Sequence, residues 1–200
     1  METKIEKQHR NMKHQLLFMW LYVFVLYVPF YIMMLERHSV NYISLSVIGW
    51  FTGGLHYIAL FLLLTLPFAL YLIFFLNRHF VGNYRWINIG AVVSAVFMTI
   101  GGFIPLGMGE FLYHAHVITS ISSSIIFMLI ILILLILYAC KSKHKWLYFA
   151  LCGAFVVVLA VGFMVLFTSA LYQFTTTLSF MLILLVVNTV SVRRFLKTLC

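Results

Sequence analysis

Six apolar runs, each long enough to cross a lipid bilayer, leave this chain almost nothing else to fold into. They cover residues 15–35, 50–76, 86–105, 110–140, 146–167 and 170–192. A hydrocarbon core of about 30 Å is crossed by about 20 helical residues. The connections at 36–49, 77–85, 106–109, 141–145 and 168–169 are too short to hold a soluble domain. The expected fold class is therefore all-α, a polytopic membrane protein in which residues 1–200 form one six-transmembrane-helix bundle. Composition points the same way. Hydrophobic residues make up 64% of the chain and charged residues 8%, against about 45–50% and about 25% in soluble domains. A soluble chain of this kind could not cover its own surface, so its solvent is lipid.

Thirteen Lys and Arg against four acids give a formal net charge of +9. In a soluble protein that balance would suggest nucleic acid. Here the cations cluster between apolar runs, which is the pattern of membrane topology, and no nucleic-acid partner is expected. Lys4, Lys7, Arg10, Lys13, Arg78, Arg85, Lys141, Lys143, Lys145, Arg193, Arg194 and Lys197 fall on alternate sides of a six-span protein, and Arg37 alone on the other. The positive-inside rule then predicts a multi-pass plasma-membrane protein of prokaryotic type with both termini cytoplasmic, N-in/C-in. Trp50, Trp86 and Trp146 each open a run, as residues of an aromatic belt do. Cys140, Cys152 and Cys200 fall towards the cytoplasmic side, where a disulfide framework is not expected. The first run is about 21 residues long with no small-residue cleavage site, and is not read as a cleavable leader.

Two features bear on packing. Gly90 with Ser94, and Ala91 with Ala95 and Thr99, repeat small residues at a spacing of four, which lets helix backbones approach closely. A central place in the bundle is expected for that third run. Pro67 is expected to kink the second, because it lacks a backbone donor and crowds the preceding turn.

The chemistry-bearing stretch is GEFLYHAHVITSISSS, residues 109–124, at the outer end of the fourth run. Glu110 and His114 are one helical turn apart on one face. His116 lies about 200° around the helix from His114 and lines up with Ser120 and Ser123. With the topology above, His56 of the second run and Tyr172, Gln173 and residues 175–177 of the sixth come to the same depth. The candidate catalytic residues are Glu110 and His114, and the candidate ligand-binding residues are His56, Tyr113, His116, Ser120 and Gln173. Ionisable side chains within a membrane usually mark a pathway or site. The competing reading starts the apolar core at Val117 and leaves residues 110–116, with His56, in the headgroups.

A zinc site from Glu110, His114 and His56 would lack both an HExxH pattern and a second acid. A haem between His56 and His114 or His116 would lack a second transmembrane pair. No metal and no cofactor are expected. An acid–base pair of Glu110 and His114 could act on a lipid, although no nucleophile elbow or paired aspartates accompany it. Three functions follow. The first is a non-enzymatic protein with an outward-facing polar cavity, handling a lipid or small molecule or acting as an accessory subunit. The second is a membrane-embedded enzyme using Glu110 and His114, and the third is an oligomeric pore-forming or membrane-perturbing effector. The partners expected are membrane lipid and either a protein partner or further copies of the chain.

Two stretches carry a family resemblance. NYISLSVIGW at 41–50 presents Tyr42, Ile43, Ser44 and Gly49, and GGFIPLGMGEFLYHAH at 101–116 presents Gly102, Phe103 and Pro105 with Ile104 inserted, followed by His114 or His116. These resemble the six-span superfamily of Frag/DRAM/Sfk-type membrane proteins, in particular the bacterial relatives grouped as domain of unknown function 998. The resemblance implies a six-helix bundle, both termini cytoplasmic, with an outward-facing site. Some eukaryotic members are linked to lipid remodelling or lipid asymmetry, which favours a lipid headgroup or acyl chain near Glu110 and the histidines.

Overall fold

In hydrocarbon a backbone must satisfy its own hydrogen bonds, and a run of Leu, Ile, Phe and Val with few breakers does so locally as a helix. The computed structural model of the chain describes residues 4–37, 47, 50–51, 54–105, 108–143, 145–166 and 170–199. Helix α1 (Lys4–Leu21) passes through a π-helical turn, Tyr22–Tyr27, into α2 (Val28–Arg37). Helix α3 (Leu55–Leu76) ends in a second π-helical turn, Asn77–Val81. Then come α4 (Arg85–Phe103), α5 (Glu110–Lys141), α6 (Lys145–Leu166) and α7 (Ala170–Leu199). Among the described residues five apolar stretches are long enough to cross a membrane, Arg10–Met34, Leu55–Val81, Arg85–Phe103, Glu110–Lys141 and Gln173–Leu196, and Lys145–Val157 of α6 is a shorter apolar helix.

The helices overrun the apolar runs where the flanking residues allow it. Residues 4–14 include three Lys with Glu6, Gln8, Arg10 and Met12, good helix formers, and extending an existing helix needs no new nucleus. The first helix accordingly starts at Lys4 rather than at 15, and the last continues to Leu199 rather than stopping at 192. Pro67 sits within α3, which remains a single helix. The Tyr22 hydroxyl donates to Leu64 O at 3.0 Å, in the turn before the proline, and the Tyr22 ring stacks on Phe68 with centroids 4.2 Å apart. One carbonyl of the turn before Pro67, Leu64 O, thus gains a donor from the first π turn.

Helix α7 lies at the centre. It packs against α1, α3 and α6, while α3–α4, α4–α5 and α5–α6 close the other side of a ring. Phe174, fully buried on α7, meets Phe30, Tyr31 and Phe61 at centroid distances of 5.8, 5.5 and 4.9 Å, joining α2, α3 and α7 through one aromatic cluster. The expected central place of the third run is not what the structure shows. Helix α4 has only α3 and α5 as extensive neighbours, and Val92, Val93, Val96, Phe97 and Ile100 point outward. Its small residues mark close contacts with α3 and α5 rather than burial on all sides, and a Cβ added at Gly102 would stand 2.9 Å from Leu62 Cδ1 of α3. Ala91, Ser94, Ala95 and Gly101 are buried, and a Cβ added at Gly101 would stand 2.6 Å from Ser120 Oγ and 3.0 Å from Ser120 N of α5.

The outward-facing side chains are themselves apolar, among them Phe51, Leu63, Ile89, Phe111 and Ile118. A soluble monomer rarely exposes so continuous a greasy surface, whereas lipid tails accept it at no cost. The fold is a helical membrane bundle.

Candidate functional site

The polar residues read from the sequence lie at one end of the bundle, and the structure sorts them into two groups. Glu110 Oε1 and His114 Nε2 lie 3.7 Å apart on the first turns of α5, a pair that is ionic only when the imidazole is protonated, with side-chain exposures of 90% and 60%. Tyr113 is exposed and its ring meets that of His114 edge-on at 5.6 Å. These side chains stand outside the helix packing, where an ion pair contributes little. His56 is exposed at the start of α3 and leans on Tyr57, with centroids 4.0 Å apart.

His116 turns the other way, as its position on the helix requires. It is buried, and its Nδ1–H donates to Ile104 O at 3.1 Å, just past the end of α4. That bond fixes the proton on Nδ1 and leaves Nε2 as the acceptor in the neutral ring. Ser120 lies one turn further along α5, with its Oγ buried against Gly101 and without a hydrogen-bond partner. Thr119, Ser123 and Ser124 return their hydroxyls to α5 carbonyls, Ala115 O at 2.6 Å, Thr119 O at 2.5 Å and Ser120 O at 2.7 Å. Those hydroxyls therefore serve the helix itself. Gln173 is half-buried at the start of α7. The structure thus brings Glu110 together with His114 and His116 together with Ser120, on different faces of one helix. Among the described residues no group of three or more His, Cys, Asp or Glu side chains could hold a metal ion. Tyr42, Ile43, Ser44 and Gly49 lie outside the described residues.

At the other end of the bundle is a cavity that the sequence reading did not assemble. It measures about 400 Å³ and is lined by Phe80, Tyr138, Lys141, Ser142, Lys143, Ser191, Arg194 and Phe195. That is the low end of the range for small-molecule sites, ~300–1,000 Å³. Three elements build it: the π turn after α3, the end of α5, and the last turns of α7. The Lys141 ammonium donates to Val81 O and lies 5.5 Å from the centre of the Tyr84 ring. It passes beside Gly82, where a Cβ would stand 3.1 Å from Nζ and where φ is +138°, a backbone region that favours glycine. Arg194 Nη1 donates to Ser142 Oγ at 3.2 Å, with the guanidinium 6.0 Å from the Tyr148 ring centre. Ser191 Oγ is 2.7 Å from Tyr138 Oη and 2.6 Å from Val187 O, so these hydroxyls are tied to each other and to α7. The cavity therefore presents fixed positive charge over an aromatic wall.

The signal for this cavity was present in the sequence as the clusters at 141–145 and 193–197, which topology alone sufficed to explain. That α5 and α7 bring them to one cavity depends on packing, which spacing does not encode.

Fold and sites together define a helical integral membrane protein with a polar end and a basic end. Comparison with family models, with curated proteins and with solved structures gave no match.

Proposed function

We propose that the chain is a non-enzymatic, lipid-handling protein of the plasma membrane, crossing six times with both termini on the cytoplasmic side. The observation that carries this reading is the gathering of cations around a cavity at one end of the bundle, with the acid and the imidazoles of α5 at the other. Lys and Arg beside a bilayer are attracted to anionic lipid by about 1 kcal/mol each, and the same asymmetry sets orientation. The exposed Glu110–His114 pair supports interfacial anchoring better than catalysis, because acid–base chemistry on a lipid needs a site that confines the reacting group. The inward His116 and Ser120 supply the outer end with a narrower polar seam between α4 and α5.

The test is the lipid that stays with the protein. The full chain is extracted in mild detergent, and its co-purifying phospholipids are compared with those of the membrane it came from. Enrichment of anionic species at least severalfold is expected. A lipid profile identical to the bulk membrane would contradict the reading.

A further inference from the structure

We propose that the cavity between the Asn77–Val81 turn, α5 and α7 is a binding site for a phosphate ester carrying an apolar body, as an anionic phospholipid headgroup does. This rests on the lipid-handling reading above and names the chemistry and the residues by which it would work.

Lys141, Lys143 and Arg194 line one cavity, and none of the described residues lining it is acidic. Cations converging on one space repel each other unless an anion enters. Two of the three are held in place. Lys141 is anchored to Val81 O and passes Gly82, so its charge is fixed at the wall. Arg194 is oriented by Ser142 and Tyr148 and spends one of its several donors on the serine. A planar guanidinium held in this way can offer its other N–H groups as a fork to two phosphate oxygens. Lys143 is exposed at the rim and adds a mobile point charge.

The rest of the lining selects among anions. Tyr138 and Ser191 are tied to each other and to the α7 backbone, and Phe80 and Phe195 add aromatic surface. A bare inorganic phosphate would leave that wall uncovered, whereas an ester with an apolar body covers it. Position points the same way. The cavity lies at the ends of three membrane-length helices, and basic pockets between transmembrane helices at the cytoplasmic surface are where acidic headgroups bind.

The full chain in mild detergent would be titrated with phosphatidylglycerol and, separately, with phosphatidylcholine, with binding read by native mass spectrometry. Wild type is expected to retain phosphatidylglycerol about tenfold more than phosphatidylcholine, the scale of a few charge-assisted hydrogen bonds. The double variant Lys143→Gln with Arg194→Gln should lose that preference, and Arg194→Lys should keep part of it. Lys145→Gln, a nearby cation outside the lining, should behave as wild type. If the double variant fails to fold by circular dichroism and gel filtration, Lys143→Gln alone carries the test through its exposed side chain, with a loss of about threefold. Glycerol 3-phosphate at millimolar concentration distinguishes the source. Glycerol 3-phosphate has no apolar body, so its displacing the lipid would assign the site to a soluble phosphate ester and overturn the role given to the aromatic wall, and no displacement would assign the site to the lipid. A double variant that folds and retains phosphatidylglycerol like wild type would overturn the site and leave the lipid-handling reading standing. A wild type with no preference for phosphatidylglycerol would overturn the site whatever the variants do, and the co-purified lipid profile then decides the broader reading separately.

Discussion

Asn77 holds the turn between α3 and α4. Its Nδ2 donates to Tyr84 O and Asn88 Oδ1, both at 2.9 Å, and its Oδ1 accepts from Tyr84 N at 3.0 Å. Its own carbonyl accepts from Gly82 N and Asn83 N, at 3.0 and 2.8 Å, and the side chain is fully buried. A buried amide with all these bonds made is costly to remove, because each partner is left unsatisfied. Asn77→Ala should lower stability by about 2–4 kcal/mol and Asn88→Ala by about 1 kcal/mol, in thermal unfolding followed in detergent. Equal, small effects from both would show that the network does not hold the turn. Glu110→Gln sets the opposite expectation. With both partners of its ion pair largely exposed, the loss should be within about 1 kcal/mol, and an unfolding midpoint many degrees lower would contradict the placement. At this scale the sequence was legible where helical geometry alone decides. The 100° step separated His114 from His116, and the structure has one exposed and the other buried. The acceptor for His116, Ile104 O, lies on the preceding connection, and spacing along α5 could not identify it.

Helix α4 shows what a small-residue stripe does and does not say. Gly101 lets α4 come within backbone contact of Ser120, and Gly90 admits the Ile130 side chain, whose Cδ1 would stand 3.0 Å from an added Cβ. Close approach between two helices was legible in those residues. Centrality was not, since it depends on how many neighbours a helix has, and the packing of α7 combines Phe, Met, Leu and Val with buried polar residues: Trp20 Nε1 donates to Thr189 Oγ1 at 3.1 Å and Asn188 Nδ2 to Leu72 O at 3.4 Å. Gly101→Ala should force the α4–α5 seam apart at its tightest point, against backbone rather than a flexible side-chain end. A loss of about 1–3 kcal/mol is expected, while Ala91→Gly, buried on the same helix, should cost about 1 kcal/mol through helix propensity. A neutral Gly101→Ala would mean that the two helices are not packed this closely. The two π-helical turns had no signature that the apolar pattern could reveal. Each falls where a side chain serves a neighbouring segment, Tyr22 at the crowded turn of α3 and Asn77 at the entry to α4. Such turns insert a residue without breaking the run and so leave the hydropathy pattern intact.

For the molecule as a whole, the decisive information was the length of the apolar runs and the placement of Lys and Arg between them. Those two patterns set the number of helices, their approximate ends and the proposed orientation. Which cations meet around a shared cavity follows only from the ring of helices that brings the end of α5 beside the last turns of α7. The proposed function depends first on that basic end facing the cytoplasm, and Cys140 reports on it directly. It is an exposed thiol beside Lys141, whereas Cys152 is buried. In a chain with Cys152 and Cys200 replaced by Ser, a membrane-impermeant maleimide is added to right-side-out and to inverted membrane vesicles. The account predicts that Cys140 is labelled in inverted vesicles and protected in right-side-out ones until detergent is added. Labelling of Cys140 from the outside of intact right-side-out vesicles would contradict the orientation and, with it, the lipid-facing role of the basic cavity.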